Sequence, residues 1–284
     1  MKVALYYRHI DDADRPSFDA LQQSLFAHGL ETVHVADGDN VVGADYLFSI
    51  GGDGTLLSSV QFVGTGGHPA SLPPIVGINF GHLGFLTTAG RADLDTLVDQ
   101  LMQGHFSLER RTLLQVAAPD FPLAAPAYAL NEVFLHRPEE SSMLRTEVYV
   151  DGLYVATYAG DGVIVATPTG STAYSLSCGG PILTPDSGSL VITPIGAHTL
   201  TLRPIIVPDS ASLRLVVVPA THHTGSADPD PFTLGLDSRR ATLRGAVAID
   251  VCRAPFTINL VRMGRQNFFS AIRDKLMWGT EIRP

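Results

Sequence analysis

An apolar run from Tyr46 to Ile50 stops at Gly51-Gly52-Asp53-Gly54-Thr55, and leucines follow at once in Leu56 and Leu57. Strand, glycine turn and helix start within so few residues constrain the fold more than any other stretch. The pattern belongs to α/β units, where a loop without Cβ atoms lets backbone N–H groups close on phosphate oxygens. Asp53 is the odd member, because a carboxylate repels phosphate unless it handles a metal or takes a proton. Its presence points to phosphoryl transfer to a hydroxyl, with Asp53 as base or magnesium partner. A plain structural role is the alternative: Asp53 as the cap of the helix that follows.

The residues around this loop read as alternating strands and helices. Lys2 to Tyr7, Glu31 to Val35, Tyr46 to Ile50 and Ile75 to Asn79 are short apolar strands. Phe18 to His28, Leu56 to Phe62 and Leu94 to Met102 carry helical spacing and end at glycines. That order predicts a parallel, Rossmann-like α/β domain over residues 1–108. Ligands in such sheets sit beyond the strand C-termini, which places Asp53 and Phe85 on one edge.

From Arg110 the grammar changes to alternating β-rich runs such as LRTEVYVDGLYVATYAG. They continue through Leu213 to Val218, Phe232 to Leu236, Ala248 to Cys252 and Phe256 to Val261. An all-β domain of packed sheets over 109–262 is expected. The last segment, 263–284, places Phe268, Ile272 and Leu276 on one helical face with Phe269 and Met277 beside it. This helix is expected to return to the first domain.

Two stretches in the β domain carry chemistry. In DGVIVATPTGSTAYSLSCGGPIL, a strand runs into a turn where Thr169, Ser171 and Thr172 offer hydroxyls and Tyr174 a flat face for a ring. A capped helix, with Thr169 or Ser171 as N-cap, explains one hydroxyl but not their density. Asn131-Glu132 pairs an amide with a carboxylate and can grip a ribose or base edge through complementary donors and acceptors. An edge-strand pair is the bland reading of the same two residues.

Net charge of −9 opposes nucleic acid and anionic membranes, so a polyanionic ligand must be met by local groups. Lys2 and Lys275 are the only lysines, against seventeen arginines, which excludes the G-x-x-x-x-G-K-[ST] loop. Cys178 and Cys252 are far apart without a C-x-x-C pattern, as expected of a cytoplasmic protein. The opening MKVALYYRHIDDADR lacks a signal peptide's apolar region, and no stretch approaches membrane-spanning length.

In order along the chain, GGDGT at 51–55, GHLGF at 81–85, Asn131-Glu132, DGVIVATPTGSTAYSLSCGGPIL at 161–183, HTLTLRPIIVPD at 198–209 and RDKLMWG at 273–279 resemble the ATP-NAD kinase family. GGDGT is shared with diacylglycerol and sphingosine kinases and, less closely, phosphofructokinases; TPTGSTAYSLS is far more specific. The resemblance implies a transfer of the γ-phosphoryl group of ATP to the adenosine 2′-hydroxyl of NAD, with Mg2+ accompanying the nucleotide. Asp53 would take the hydroxyl proton, while Gly51, Gly52, Gly54 and Thr55 would line phosphates. Phe85 would pack on the adenine, and Asn131 and Glu132 would hold the adenosine, with polar contacts from Thr169 and Thr172. Asp161, Ala173, Tyr174 and Ser177 would surround the rest of the dinucleotide. The family's shared-site assembly implies a homodimer or homotetramer. The pattern departs at Asp237-Ser238, where some members carry His or Gly after the aspartate.

A lipid kinase sharing the glycine loop, or a sensor that binds dinucleotide without catalysis, are the competing readings. The low lysine content and net charge argue against the first, and Asp53 against the second. Elsewhere, His222, His223, Asp228 and Asp230 read as a solvated loop and not as a metal site. Each of Arg203, Arg239, Arg240 and Arg253 reads equally as a phosphate contact or as a surface or sheet-edge ion pair. His198 reads as a core histidine ahead of a strand, and Cys178 as a buried small residue.

Overall fold

The computed structural model describes residues 1–37, 39–41, 43–62, 72–81, 84–117, 127–139, 141–218, 229–264 and 267–279. The chain forms two compact units, Met1–Arg111 with Ile258–Pro284, and Thr112–Thr257.

The first unit contains β1 (Lys2–Tyr6), α1 (Arg15–Ala27), β2 (Glu31–Val35), β3 (Tyr46–Ile50), α2 (Asp53–Ser58), β4 (Ile75–Ile78), α3 (Leu94–Met102) and the start of β5 (Phe106–Ala117). Strands β2, β1, β3 and β4 are parallel neighbours in that order. Alternation decides which residues face which side: Val3, Leu5, Phe48, Ile50, Val76 and Ile78 pack with Phe18, Leu21 and Leu25 of α1 and Leu97 and Leu101 of α3. Pro16 fits the first turn of α1, where its missing N–H costs nothing. The helix expected over Leu56 to Phe62 starts earlier, at Asp53, and tightens into a 3-10 turn over Ser59–Phe62. Its N-cap is Gly52, with no side-chain cap.

The second unit takes the rest of β5, then β6 (Tyr128–Ala129), β7 (Glu132–His136), β8 (Leu144–Val150), β9 (Leu153–Gly160), β10 (Gly162–Ala166), α4 (Tyr174–Ser177), β11 (Ser189–Ile195), β12 (Ile205–Pro208), β13 (Leu213–Val218), β14 (Pro231–Leu236), β15 (Arg239–Arg244) and the start of β16 (Val247–Met263). One antiparallel sheet runs β12-β11-β10-β7-β14-β15. Another joins β16, β13, β8 and β9, also antiparallel. Val133, Leu135, Val163, Val165 and Leu234 of the first sheet share a core with Val148, Leu213, Leu215 and Ile249 of the second. Phe134, Ile164 and Ala166 alternate to the outer face of the six-stranded sheet, where Tyr174 and Cys178 pack on them. Cys178 is thus half-buried packing material.

The two runs expected as separate strands, Ala248 to Cys252 and Phe256 to Val261, form the single strand β16. Pro255 lies between its register with β13, which ends at Val251, and its pairing with β4 at Leu260, so the missing N–H interrupts neither ladder. From Ile258 the chain is back in the first unit and ends in α5 (Phe268–Leu276). Asn267 caps α5, its Oδ1 accepting from Ser270 N at 3.0 Å. Ile272 is buried, whereas Phe269 and Met277 are exposed. His198 is a correction: it lies exposed in the turn after β11, outside any core strand.

Candidate functional site

In the first unit, the carboxylate of Asp53 is held by the loop that follows β4. Asp53 Oδ2 accepts from Phe85 N at 2.8 Å, and Oδ1 accepts from Leu86 N at 3.2 Å and Thr87 N at 3.3 Å. The cap reading therefore fails, because this side chain reaches across to a second loop and not back to its own helix. Gly84 makes the approach possible: a Cβ there would sit 1.8 Å from Asp53 Oδ1. Gly84 N donates to Thr87 Oγ1 at 2.7 Å and closes the turn. Around the carboxylate stand Gly51, Gly52 and Thr55, all half-buried, and the exposed Gly54. The sequence motifs at 51–55 and 84–85 are thus one structure; His82 and Leu83 lie outside the described residues.

Beneath this turn lies an ionic cluster that sequence reasoning missed. Arg262 donates to the carbonyls of Phe85 at 3.0 Å and Leu86 at 3.2 Å, and its Nε to Glu109. Glu109 Oε1 also accepts from Arg111 at 2.8 Å, and the Arg111 side chain is only 3% exposed. Burial lowers the Arg111 pKa to about 10, against the pull of Glu109, and its charge also interacts with Asp53. Burial by itself would raise Glu109, yet Arg111 and Arg262 together hold it below the ordinary carboxylate value. Spacing gives no hint of this cluster, since Glu109 and Arg262 are 153 positions apart. Phe85, Thr87 and Arg262 face Phe268, Ala271 and Lys275 of α5 across a cleft of about 230 Å3.

In the second unit, Asn131 and Glu132 enter β7 with 8% and 6% of their surface exposed. Asn131 Oδ1 and Glu132 Oε2 are buried and, among the described residues, have no hydrogen-bond partner. Their backbone is fastened by Asp237 in the two-residue loop between β14 and β15. Asp237 accepts from Leu130 N at 2.8 Å, Asn131 N at 2.7 Å and Glu132 N at 3.1 Å, and its own N–H donates to Glu132 O at 3.0 Å. The loop that departed from the family pattern is therefore the clamp of the Asn-Glu pair. Asp237 adopts φ 51°, a left-handed conformation that aspartate tolerates better than most residues.

Desolvation raises the Asp237 pKa to about 6, opposed by its three backbone donors and Arg239. Burial raises Glu132 further, to about 8, and the charge of Asp237 adds to the effect, while the backbone N–H of Tyr174 works against it. Two neighbouring carboxyl groups are thus set apart, the better-solvated by hydrogen bonds ionising first.

The hydroxyl-rich turn after β10 is tied to the same pair. Thr167 N donates to Asn131 O at 2.9 Å and Thr167 Oγ1 to Leu130 O at 2.6 Å. A Cβ on Gly170 would stand 2.1 Å from Asn131 O, so only glycine lets the turn lie this close. Neither Thr169 nor Ser171 caps through its side chain. Ser171 Oγ instead donates to Pro168 O at 2.6 Å and accepts from Leu183 N at 2.9 Å, and Thr172 Oγ1 donates to Thr169 O at 3.2 Å. Thr169 is buried, Thr172 and Ala173 are half-buried, and Ser177 is exposed.

The Tyr174 ring meets Phe134 edge-on at 5.6 Å. With Glu132, Phe134, His136, Asp237 and Arg240 it lines a cleft of about 280 Å3. Asp161 stands at the opposite end of the β7–β10 pair from Glu132, its Oδ1 accepting from Arg137 Nε at 2.7 Å.

The other arginines separate clearly. Arg253 pairs with Asp209 at 3.0 Å, Arg203 donates to the carbonyls of Leu200 and Leu202, and Arg239 to that of Tyr128. Arg240 stacks over Phe134 at 5.8 Å and lines the cleft. His222, His223 and Asp228 lie outside the described residues; Asp230 accepts from Ser142 N at 3.2 Å. Among the described residues no group of three or more His, Cys, Asp or Glu could hold a metal ion. None of the described helices is long and apolar enough to cross a membrane.

Comparison with known proteins agrees along both units. Residues 12–106 match the family model of the ATP-NAD kinase N-terminal domain, and residues 130–257 that of the ATP-NAD kinase C-terminal domain. An NAD kinase of Cytophaga hutchinsonii is 39% identical over 239 residues, spanning 84% of this chain and 77% of the relative. An NAD kinase of Bacteroides fragilis is 37% identical over 245 residues, spanning 86% and 80%. Among solved structures, yeast NADH kinase complexed with NADH superposes with a TM-score of 0.86 at 23% identity, over all of this chain and 89% of that one. An NAD kinase from Archaeoglobus fulgidus in complex with ATP gives 0.75 at 22% identity, over 98% and 99%. These two likenesses concern the fold. With both domain models matched in order and close relatives over most of its length, the chain belongs to the ATP-NAD kinase family.

Proposed function

We propose that this enzyme transfers the γ-phosphoryl group of ATP to the 2′-hydroxyl of the adenosine ribose of NAD, giving NADP and ADP. The observation that carries the reading is Asp53, a carboxylate fixed by three backbone N–H groups beside the glycine loop. Oδ1 has two of these donors and Oδ2 only one, so Oδ2 keeps a lone pair for a substrate proton. In the proposed step Asp53 takes the 2′-hydroxyl proton, the ribose oxygen bonds to the γ-phosphorus, and the bond from that phosphorus to the bridging oxygen of ADP breaks.

Gly51, Gly52, Gly54 and Thr55 are assigned to phosphates and Phe85 to the adenine of NAD. Asn131 and Glu132 hold the adenosine, a role that suits their buried, unpartnered oxygens. Thr169 and Thr172 add polar contacts. Asp161, Ala173, Tyr174 and Ser177 are assigned to the rest of the dinucleotide. Magnesium is assigned to the nucleotide substrate, where it would neutralise the phosphates. Structures of the same fold hold NADH in one case and ATP in the other, in keeping with a dinucleotide acceptor and a nucleotide donor. The enzyme is assigned to the cytoplasm, where its free cysteines stay reduced, and to a homodimer or homotetramer. The lipid-kinase reading gains nothing from the matches, which extend over both units.

The test is direct. Purified protein with NAD, ATP and magnesium should form NADP and ADP in equal amounts, and Asp53→Asn should not. NADP absent from the wild-type reaction under these conditions refutes the assignment.

A further inference from the structure

We propose that Glu132 meets NAD as a neutral carboxylic acid, donating a hydrogen bond from Oε2 to an acceptor atom of the adenosine, and that its burial, with the ionised Asp237 beside it, keeps it so. The inference rests on the proposal that Asn131 and Glu132 hold the adenosine of NAD.

The geometry assigns the two carboxyl groups different work. All three backbone N–H groups of Leu130, Asn131 and Glu132 go to Asp237. Such donors stabilise a carboxylate, and Arg239 adds a positive charge on the same side. Glu132 has a single such donor, the backbone N–H of Tyr174, against three for Asp237. It is 6% exposed, its Oε2 has no partner among the described residues, and the charge that acts on it is that of the like-charged Asp237. A buried oxygen left unsatisfied is costly unless a ligand completes it. An ionised Oε2 would offer only acceptor sites, beside another anion and toward a ligand that carries a pyrophosphate. A protonated one offers a donor, which suits a ribose oxygen or a ring nitrogen of adenine.

The groups that face Glu132 from each neighbouring element are few. Asp237 follows β14 in the loop, and Arg239 and Arg240 begin β15. Tyr174 and Cys178 belong to the helical turn at α4, and both are themselves raised, first by burial. His136 lies farther along β7 in the same cleft. Tyr174 opposes the neutral form through one backbone N–H, which is outweighed by burial and Asp237. None of these side chains supplies a cation in contact with Oε2.

The experiment is NAD binding by isothermal titration calorimetry from pH 6.5 to 9.5, without ATP, on wild type and Glu132→Gln. Gln keeps a donor at this position and cannot ionise. The expected result is a wild-type Kd that rises about tenfold per pH unit above the Glu132 titration, and a Gln variant that lacks this break. The difference between the two profiles removes contributions from Tyr174, Cys178 and His136. Folding of both proteins at each pH is checked by near-UV circular dichroism.

A flat wild-type profile overturns the inference even if the variant does not fold. So does a tenfold or larger loss of affinity in Glu132→Gln at pH 6.5, which marks a carboxylate acceptor. No NAD binding at any pH removes the adenosine-site reading itself, and the inference with it.

Discussion

The N–H of Phe85 donates to Asp53 Oδ2 at 2.8 Å, so the aspartate of one loop and the aromatic of the next are positioned by each other. Asp53→Asn therefore does two things. Turnover at saturating NAD and Mg-ATP should fall by about 10²–10⁴ through loss of a general base. Stability should also drop by about 1–3 kcal/mol, because Asn offers one acceptor oxygen where three N–H groups need two. Steady-state kinetics and urea unfolding read the two effects apart. Retention of a sizeable share of wild-type turnover would exclude Asp53 as the base.

Gly84→Ala tests the same turn without replacing a functional side chain. The new Cβ would fall 1.8 Å from Asp53 Oδ1, so the carboxylate or the loop must shift. We expect a loss of about 1–3 kcal/mol in stability and a large loss of turnover. Gly81→Ala is the control, since among the described residues its Cβ meets nothing closer than Asn79 Oδ1 at 3.5 Å. Equal melting temperatures and rates for the two variants would contradict this account of the turn.

Phe85→Ala should raise KM for NAD more than KM for ATP. Losing a stacked aromatic face costs on the order of 1–2 kcal/mol, or roughly tenfold. Separate titrations of each substrate against saturating amounts of the other measure the split. Equal increases would remove Phe85 from the adenine site.

Glu132 should leave a mark on stability even without ligand. Its folded pKa, about 8, lies above the unfolded value of 4.5, so the folded protein holds the proton more tightly. The stabilisation is complete below the unfolded value, declines as pH rises, and is gone above the folded value. Urea unfolding of wild type should show stability decreasing between about pH 5 and pH 8, with Asp237 contributing below its own value of about 6. Glu132→Gln should flatten the upper part of that slope. The same slope in both proteins would rule Glu132 out as its source.

A homo-oligomer whose site is completed between subunits should lose specific activity on dilution, in step with dissociation followed by light scattering. Full activity from a monomer would refute the shared-site assignment.

Local chemistry in the sequence was enough for the α/β alternation, the β-rich second half, the final helix and the glycine- and hydroxyl-rich turns at the ends of two strands. Each rests on periodicity or glycine placement within a few residues, and such signals survive without knowledge of the partners. Three features needed the tertiary structure. Asp53 looks equally like a helix cap until Phe85, Leu86 and Thr87 arrive from more than thirty positions away. Asp237 looks like an ordinary turn residue until its carboxylate meets the backbone of Leu130, Asn131 and Glu132, over a hundred positions earlier. Arg111 and Arg262 are ordinary arginines until burial around Glu109 makes them a support for the Phe85 turn. In each case the role is set by who desolvates and who donates, and those identities belong to the fold.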